Sequence, residues 1–401
     1  MTGDVSDPAR VYVRVMGTAE GLEWGFWLAA SVWWIVILDL SPLQLVAMGA
    51  VLEMSVLISE TPTGVVADLV SRRRSILISQ VLMGLAYIWA VASVNYWVIL
   101  PAQALFGIGW TFRSGADTAW VTDELKGLGR GDDAEIEKLL VRKHRFGILV
   151  ALVSLSVTML VGTVTSVRTV ALLLGMAAIM IGGYLRLVMR EDHFTPGREQ
   201  ERGFVETLRA GLTVVATRPR LRVLVGVIVV LDMGSEAFDR LGHKFFLDNG
   251  GWGDDSLIGL GVLFMVLAVA GLGVNALAAR ALETGSGVAR LASLLLLVAA
   301  VGATITMSTT MLVFIGVGLM LQDSTREALW PVLEGWANRD APSEVRATVH
   351  SLMGQVTAMG ELIGGIALGA LAQATSVRLV LAVAAALWFV AAGLATRGIR
   401  R

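Results

Sequence analysis

The 401-residue chain has no cysteine, four histidines and four tyrosines. Without thiols there can be no disulfide, no thiolate metal site and no cysteine nucleophile. The histidines, at positions 144, 193, 243 and 350, are too scattered for a metal cluster, so neither metal nor cofactor is expected. Charge is sparse too. Asp, Glu, Lys and Arg make up 16% of the residues, against about 25% in a water-soluble domain. A net charge of −1 gives no reason to expect nucleic acid as a partner. No Gly-x-x-x-x-Gly-Lys phosphate loop occurs, which argues against ATP as an energy source. The polar opening, MTGDVSDPAR, has no short apolar core with a cleavage site behind it. No removable signal peptide is therefore expected, and the first apolar segment is expected to serve for targeting.

What fills the chain instead is apolar: 55% of residues are hydrophobic. A helix needs about 20 mostly apolar residues to cross a bilayer. Twelve candidate spans are marked at 11–38, 43–66, 74–94, 96–124, 145–165, 168–188, 221–246, 256–279, 289–306, 309–336, 346–372 and 376–396. The links between them alternate between very short and longer, basic ones. Twenty-six Lys and Arg residues fall on one side, and Arg168, Arg240, Lys244 and Arg378 on the other. Basic loops stay in the cytoplasm, so both termini are expected there. Arginine outnumbers lysine 28 to four, which points to a GC-rich bacterial gene and hence to a bacterial inner membrane.

The polar stretch 191–220 reads as a linker between an N-terminal half, 1–190, and a C-terminal half, 221–401. Within it Phe204, Leu208, Leu212 and Val215 make an apolar stripe at helical spacing, the pattern of an amphipathic helix on a membrane surface. The halves carry a faint repeat. Glu23 and Glu236 are 213 residues apart, as are Arg113 and Arg326. Thr165-Ser166-Val167-Arg168 recurs as Thr375-Ser376-Val377-Arg378, at a spacing of 210. Such repeats build many secondary transporters. The expected fold is an all-α membrane protein of twelve transmembrane helices in two pseudo-symmetric six-helix bundles, and a monomer is expected.

Between the second and third spans the chain reads Glu60-Thr-Pro-Thr-Gly64-Val-Val-Ala-Asp68-Leu-Val-Ser-Arg72-Arg73-Arg74. This resembles the signature loop of the major facilitator superfamily, in the form found in bacterial drug-efflux-type members. Ser114-Gly-Ala-Asp117-Thr-Ala-Trp120-Val-Thr-Asp123-Glu124 is similar to the fourth helix of that subgroup. The resemblance implies a gating role for Gly64, Asp68, Arg72 and Arg73. In physical terms Gly64 would permit close helix approach, Asp68 would meet a facing helix N-terminus, and the arginines would anchor the loop to anionic lipid. The chain departs from the family in two places. Gln103, four residues before Gly107, replaces a common arginine, and 145–165 lacks the proline of the antiporter motif.

Ionisable residues inside a span cost about 2.5–3.5 kcal/mol each to insert. Acids fall within spans at 20, 23, 53, 60, 117, 232, 236, 239, 323, 327 and 361, against Arg113, Arg240 and Arg326. At 100° per residue the seventh span stacks Asp232, Glu236, Asp239, Arg240 and His243 in one stripe. The first stacks Glu20, Trp24, Trp27 and Ser31, with Glu23 beside them. The fourth aligns Arg113, Asp117 and Trp120, and the tenth carries Gln322, Asp323, Arg326 and Glu327. Burial disfavours the charged form of an acid, so Glu23, Asp232, Glu236, Glu20 and Glu53 are candidates for proton coupling. Trp24, Trp27, Arg113, Asp117, Trp120, Gln322 and Arg326 are candidates for substrate binding, the tryptophans by stacking and cation–π contact. Structural ion pairs between Arg113 and Asp117, and between Arg326 and Asp323 or Glu327, remain an alternative. The function expected is secondary active export of a small amphiphilic, cationic or zwitterionic compound in exchange for protons. Uptake, or lipid or metabolite export, is the alternative in the same fold. A membrane-embedded transferase is the remote alternative: Asp132-Asp133 and Asp254-Asp255 exist, but without a second acid cluster.

Overall fold

A computed structural model describes residues 6–196, 204–284, 286–341 and 345–399. Among these residues the regular structure is helical, with no strand. Helix α1 covers 8–37, α2 Pro42–Val70, α3 Arg72–Ala90, α4 Pro101–Arg113, α5 Ala116–Gly127, α6 Asp133–Val164 and α7 Val167–Val188. Helix α8 covers Phe204–Ala216, α9 219–250, α10 Ser256–Glu283, α11 Val288–Ser308, α12 Leu312–Asp340, α13 Arg346–Ala374 and α14 Val377–Ile399. Seven of them, α2, α6, α7, α10, α11, α13 and α14, are long and apolar enough to cross a membrane. The less apolar α1, α4, α5, α9 and α12 carry Glu20, Glu23, Arg113, Asp117, Asp232, Glu236, Asp239, Arg240, Asp323, Arg326 and Glu327. Large apolar side chains stand exposed along the sequence, such as Leu187 at 84% and Leu160 at 68%. Lipid is the solvent that such surfaces suit, and the chain reads as a multi-pass membrane protein.

Local chemistry sets the helix ends. Ser71 Oγ accepts from Arg74 N at 3.0 Å to start α3. Asp132 Oδ1 accepts from Glu135 N at 2.7 Å, while Glu135 Oε2 accepts from Gly131 N at 2.9 Å, a reciprocal cap for α6. Pro101 and Pro219 sit in first turns, where a missing N–H costs nothing. The fourth expected span, 96–124, is interrupted: Gly115 adopts φ +75°, a left-handed conformation that glycine accepts readily, and separates α4 from α5. Four segments are wound as π-helix, at Val11–Met16, Trp33–Ile37, Val66–Val70 and Phe238–Gly242. Two of these hold charged residues of interest, Asp68 and the pair Asp239 and Arg240.

The chain divides into two compact units. One comprises Met1–Asp39 with Met54–Glu201, and the other Leu40–Glu53 with Arg202–Arg401. Within the first, α1 packs on α6 and α7, and α3 on α4 and α7. Within the second, α9 packs on α13 and α14, and α11 on α12 and α14. The pairings repeat in the same order. Small residues bring the helices together. A Cβ added at Gly21 would lie 2.6 Å from Val150 Cβ and 2.7 Å from the Gly147 carbonyl, so α1 and α6 touch backbone to backbone there. Between α3 and α7, Gly84 and Gly175 each face the other's carbonyl, at 2.6 and 2.7 Å from an added Cβ.

The repeated Thr-Ser-Val-Arg corners share one geometry. Thr165 and Thr375 each donate to the carbonyl four residues back at 2.6 Å. Ser166 and Ser376 cap the helices that follow. Arg168 donates to Ala92 O at 2.9 Å and lies over the Trp33 ring, while Arg378 donates to Thr309 O at 3.4 Å and lies over the Phe245 ring. The amphipathic stripe of the linker becomes α8, which packs on α13. A Cβ at its Gly211 would lie 2.8 Å from Leu352 Cβ, and Val215 is buried while Leu212 is exposed. The side chains of Phe204 and Leu208, and linker residues 197–203, lie outside the described residues.

Candidate functional site

In the first unit five charged groups and a ring of aromatics surround the middle of α1. Glu23 and Arg113 form an ion pair at 2.5 Å, with side chains 15% and 13% exposed. One turn earlier Glu20 meets Lys143 of α6 at 3.1 Å, and Lys143 reaches Asp117 at the same distance. His144 Nδ1 is 3.7 Å from Glu20. Lys143 also lies over the Tyr12 ring, and the Tyr12 hydroxyl is 3.1 Å from Thr118 Oγ1. Asp117 stands in the first turn of α5, where the helix dipole favours a carboxylate. Because α4 and α5 are separate helices, the expected alignment of Arg113, Asp117 and Trp120 on one face does not form. Arg113 goes to Glu23, and Asp117 to Lys143. Trp120 is enclosed in a core with Tyr12, Met16 and Leu125, and its Nε1 donates to Arg190 O at 2.7 Å. Trp24 and Trp27 are half-buried. Trp27 packs edge-on against Phe106 and Trp34, beside the stacked Phe26 and Tyr87 rings.

In the second unit α9 carries Asp232, Glu236, Asp239 and Arg240. Arg240 Nε donates to Glu236 at 2.9 Å. Arg326 of α12 grips both oxygens of Asp239, each at 2.9 Å, and lies over the Trp388 ring. The partner of Arg326 is thus Asp239 rather than Asp323 or Glu327. A two-point grip is the strong form of such a bond. Asp232 is 6% exposed, and its Oδ2 has no hydrogen-bond partner among the described residues. Gln322 is likewise buried, with Oε1 unpartnered among them. Glu53, at the end of the α2 segment that belongs to this unit, and Glu361 on α13 are close enough for their charges to act on each other. The two units therefore differ. Glu23 and Arg113 pair directly, whereas their counterparts at 213 residues, Glu236 and Arg326, each take a neighbour on α9 instead.

The signature loop forms a separate cluster. Asp68 is exposed, 3.7 Å from Arg72. Arg72 pairs with Asp123 and donates to Ala119 O at 2.9 Å. Glu191 accepts from Ser71 Oγ at 2.5 Å and from Arg73 N at 2.8 Å, and Arg73 donates onward to Arg186 O at 2.6 Å. Arg72 and Arg73 thus tie segments of their own unit together. The expectation for Gly64 is corrected: an added Cβ would meet nothing within 4 Å, so no helix approaches it closely.

Sequence reasoning left out Lys143, His144 and Glu361 as site residues. Lys143 was legible as one of four lysines, lying just ahead of the face of α6 that packs on Gly17 and Gly21, but as a loop charge it counted toward topology alone. Glu361 stood among the acids within spans without a partner to give it a role.

No family model and no curated protein matches the sequence. Solved structures do match. A point mutant of the nucleoside transporter NupG aligns with a TM-score of 0.81 at 12% identity, covering 97% of this chain and 99% of that one. A POT family transporter in complex with 5-aminolevulinic acid aligns at 0.76 and 13%, over 96% and 94%. A bacterial homologue of the human lysosomal transporter Spinster aligns at 0.75 and 12%, over 98% and 97%. The chain has the fold of these transporters. At these identities the likeness carries the fold alone, and the chemistry is left to this chain's own residues.

Proposed function

We propose that the protein is a secondary active transporter of twelve spans in two six-helix halves, with both termini in the cytoplasm of a bacterial inner membrane. It exports a small amphiphilic compound, cationic or zwitterionic, against protons by alternating access. The observation that carries this reading is the surplus of enclosed carboxylates. Glu23 and Glu236 are paired, but Asp232 is buried with no Lys or Arg in an ion pair with it among the described residues. A carboxylate in that state is costly unless it takes up a proton or a cation. Glu20, Glu23, Glu53, Asp232 and Glu236 are assigned to proton coupling. Trp24, Trp27, Arg113, Asp117, Gln322 and Arg326 are assigned to the substrate, and Gly64, Asp68, Arg72 and Arg73 to gating; Trp120, enclosed in the core with Nε1 bonded to Arg190 O, is assigned to packing instead. The zwitterion 5-aminolevulinic acid in one similar transporter supports the charge class. Uptake is the second reading, favoured by Gln103 and by the lack of proline in 145–165.

The test is flux in proteoliposomes holding the full chain, with an imposed pH gradient and a panel of organic cations, dipeptides and nucleosides. Uphill movement of a cationic or zwitterionic member that collapses with the gradient is expected. The sign of that movement separates export from uptake. Flux indifferent to the gradient, or wild-type uphill flux in each of Glu23→Gln, Asp232→Asn and Glu236→Gln, would overturn the proton coupling.

A further inference from the structure

Lys143 leaves α6 where glycines bring that helix against α1. A Cβ at Gly17 would lie 3.2 Å from the Lys143 carbonyl, and one at Gly147, a turn further along α6, would lie 3.5 Å from Glu20 Cδ. Glycine at both positions lets Lys143 and Glu20 meet across the helix pair. Lys143 Nζ is 3.1 Å from Glu20 Oε2 and 3.1 Å from Asp117 Oδ2. It lies over the Tyr12 ring at 5.2 Å from the centroid, inside the range of about 6 Å for a cation–π contact. Asp117 Oδ1 accepts from Thr118 N at 2.7 Å, which fixes the carboxylate in place.

The surroundings of this nitrogen are those of a cation site: two carboxylate oxygens within hydrogen-bonding distance and one aromatic face. An ammonium suits them, since its three N–H groups can reach separate acceptors on different helices. A quaternary ammonium has no N–H to give, and a guanidinium presents a flat fork that matches one carboxylate edge-on. The Asp117 side chain is 9% exposed and that of Glu20 32%, so one acid closes the back of the site and the other faces outward. The neighbouring charges are Glu23, in its ion pair with Arg113, and His144, whose Nδ1 is 3.7 Å from Glu20. The repeat supplies an independent argument. At the spacing of 213 that carries Glu23 to Glu236 and Arg113 to Arg326, Glu20, Asp117 and Lys143 fall on Met233, Trp330 and Val356, and Tyr12 falls on Val225. Charges needed to hold one half of the fold together are expected in both halves. This set occurs in one, so it serves something that one half alone does.

We propose that Lys143 is a resident stand-in for the substrate: its ammonium fills a subsite for a primary alkylammonium group, and a substrate bearing one enters by replacing it between Glu20 and Asp117. The inference rests on the transport reading and narrows its substrate class from cationic or zwitterionic compounds to primary amines. The exchange is neutral in charge, because one ammonium leaves the two acids as another arrives. Between substrates the tethered ammonium keeps the enclosed Asp117 compensated, which a buried carboxylate requires.

The test is thermal unfolding of the purified full chain in lipid-containing micelles, with n-butylammonium, butyltrimethylammonium and butylguanidinium as probes at equal ionic strength. In Lys143→Ala, n-butylammonium is expected to raise the melting temperature saturably. Its apparent affinity should be about tenfold tighter than in the wild type, as for a site that the resident ammonium fills about nine-tenths of the time. The other two probes should give no saturable shift, and adding Asp117→Asn should abolish the shift. Equal shifts from all three probes, equal affinity in wild type and Lys143→Ala, or a shift that survives Asp117→Asn overturns the proposal. Lys143→Met covers the case in which the alanine variant fails to fold. Its stem ends short of the ammonium, so methylammonium is the probe there, and the lack of a saturable shift overturns the proposal. In proteoliposomes the wild type is expected to move primary amines in preference to their N-trimethyl analogues. Saturable binding without any flux would count against the transport reading alone, whereas flux without the binding preference overturns the subsite.

Discussion

Replacing Arg113 by methionine is the perturbation with the largest consequence that the structure allows to be worked through. Arg113 meets Glu23 at 2.5 Å, and both side chains are at most 15% exposed. Two unit charges about 4 Å apart attract by about 4 kcal/mol at an effective dielectric of about 20. Removing one partner leaves the other buried without compensation, which costs about 3–5 kcal/mol. Glu20 stands one turn away and is itself held by Lys143 at 3.1 Å, so no nearby cation is free to replace the guanidinium. Arg113→Met is therefore expected to lower the unfolding free energy by about 3–5 kcal/mol. A loss of about 3 kcal/mol changes the folded-to-unfolded ratio more than a hundredfold, about tenfold per 1.36 kcal/mol. Adding Glu23→Gln should restore at least half of the loss, because the orphaned charge is then gone. The measurement is equilibrium unfolding of the purified full chain in mixed micelles, as a double-mutant cycle. The exposed Arg130–Asp7 pair, at 3.3 Å with side chains 47% and 24% exposed, is the control and should be worth less than about 1 kcal/mol. A cost below about 1 kcal/mol for Arg113→Met, or single effects that simply add, would refute the reasoning.

Asp68→Asn is expected to abolish transport while leaving thermal unfolding within about 0.5 kcal/mol of wild type, because the Asp68 side chain is 58% exposed with Arg72 at 3.7 Å; full flux would remove its gating role. Gly21→Leu should destabilise the first unit by about 1–3 kcal/mol or more through overpacking, since even a Cβ there would sit 2.6 Å from Val150 Cβ; a neutral melting temperature would show that α1 and α6 are not in contact in the membrane. Reporter fusions after Arg74 and Lys143 should report cytoplasm and those after Ser308 and Arg378 the exterior, and one reversal among them would break the twelve-span topology.

Sequence alone determined what depends on composition and on spacing within one helix. Sparse charge and long apolar runs select a helical membrane protein, because lipid offers backbone groups no partner outside a helix or a closed barrel. The 213-residue spacing brought out Glu23, Arg113, Glu236 and Arg326 in advance, and the Thr-Ser-Val-Arg corners repeat in geometry as they do in sequence. Tertiary structure alone decided the partners. Periodicity states which face of a helix a residue occupies, but not which helix lies opposite or at what height. Glu23 meets Arg113, yet Glu236 is taken by Arg240 and Arg326 by Asp239, since the second unit offers extra charges one turn away. The turn at Gly115 rotates Asp117 away from Arg113 and toward Lys143, a loop charge in the sequence and an enclosed one in the fold. The Glu236 carboxylate lies against α2 only because position 49 is a glycine, whose missing side chain leaves the space the carboxylate fills.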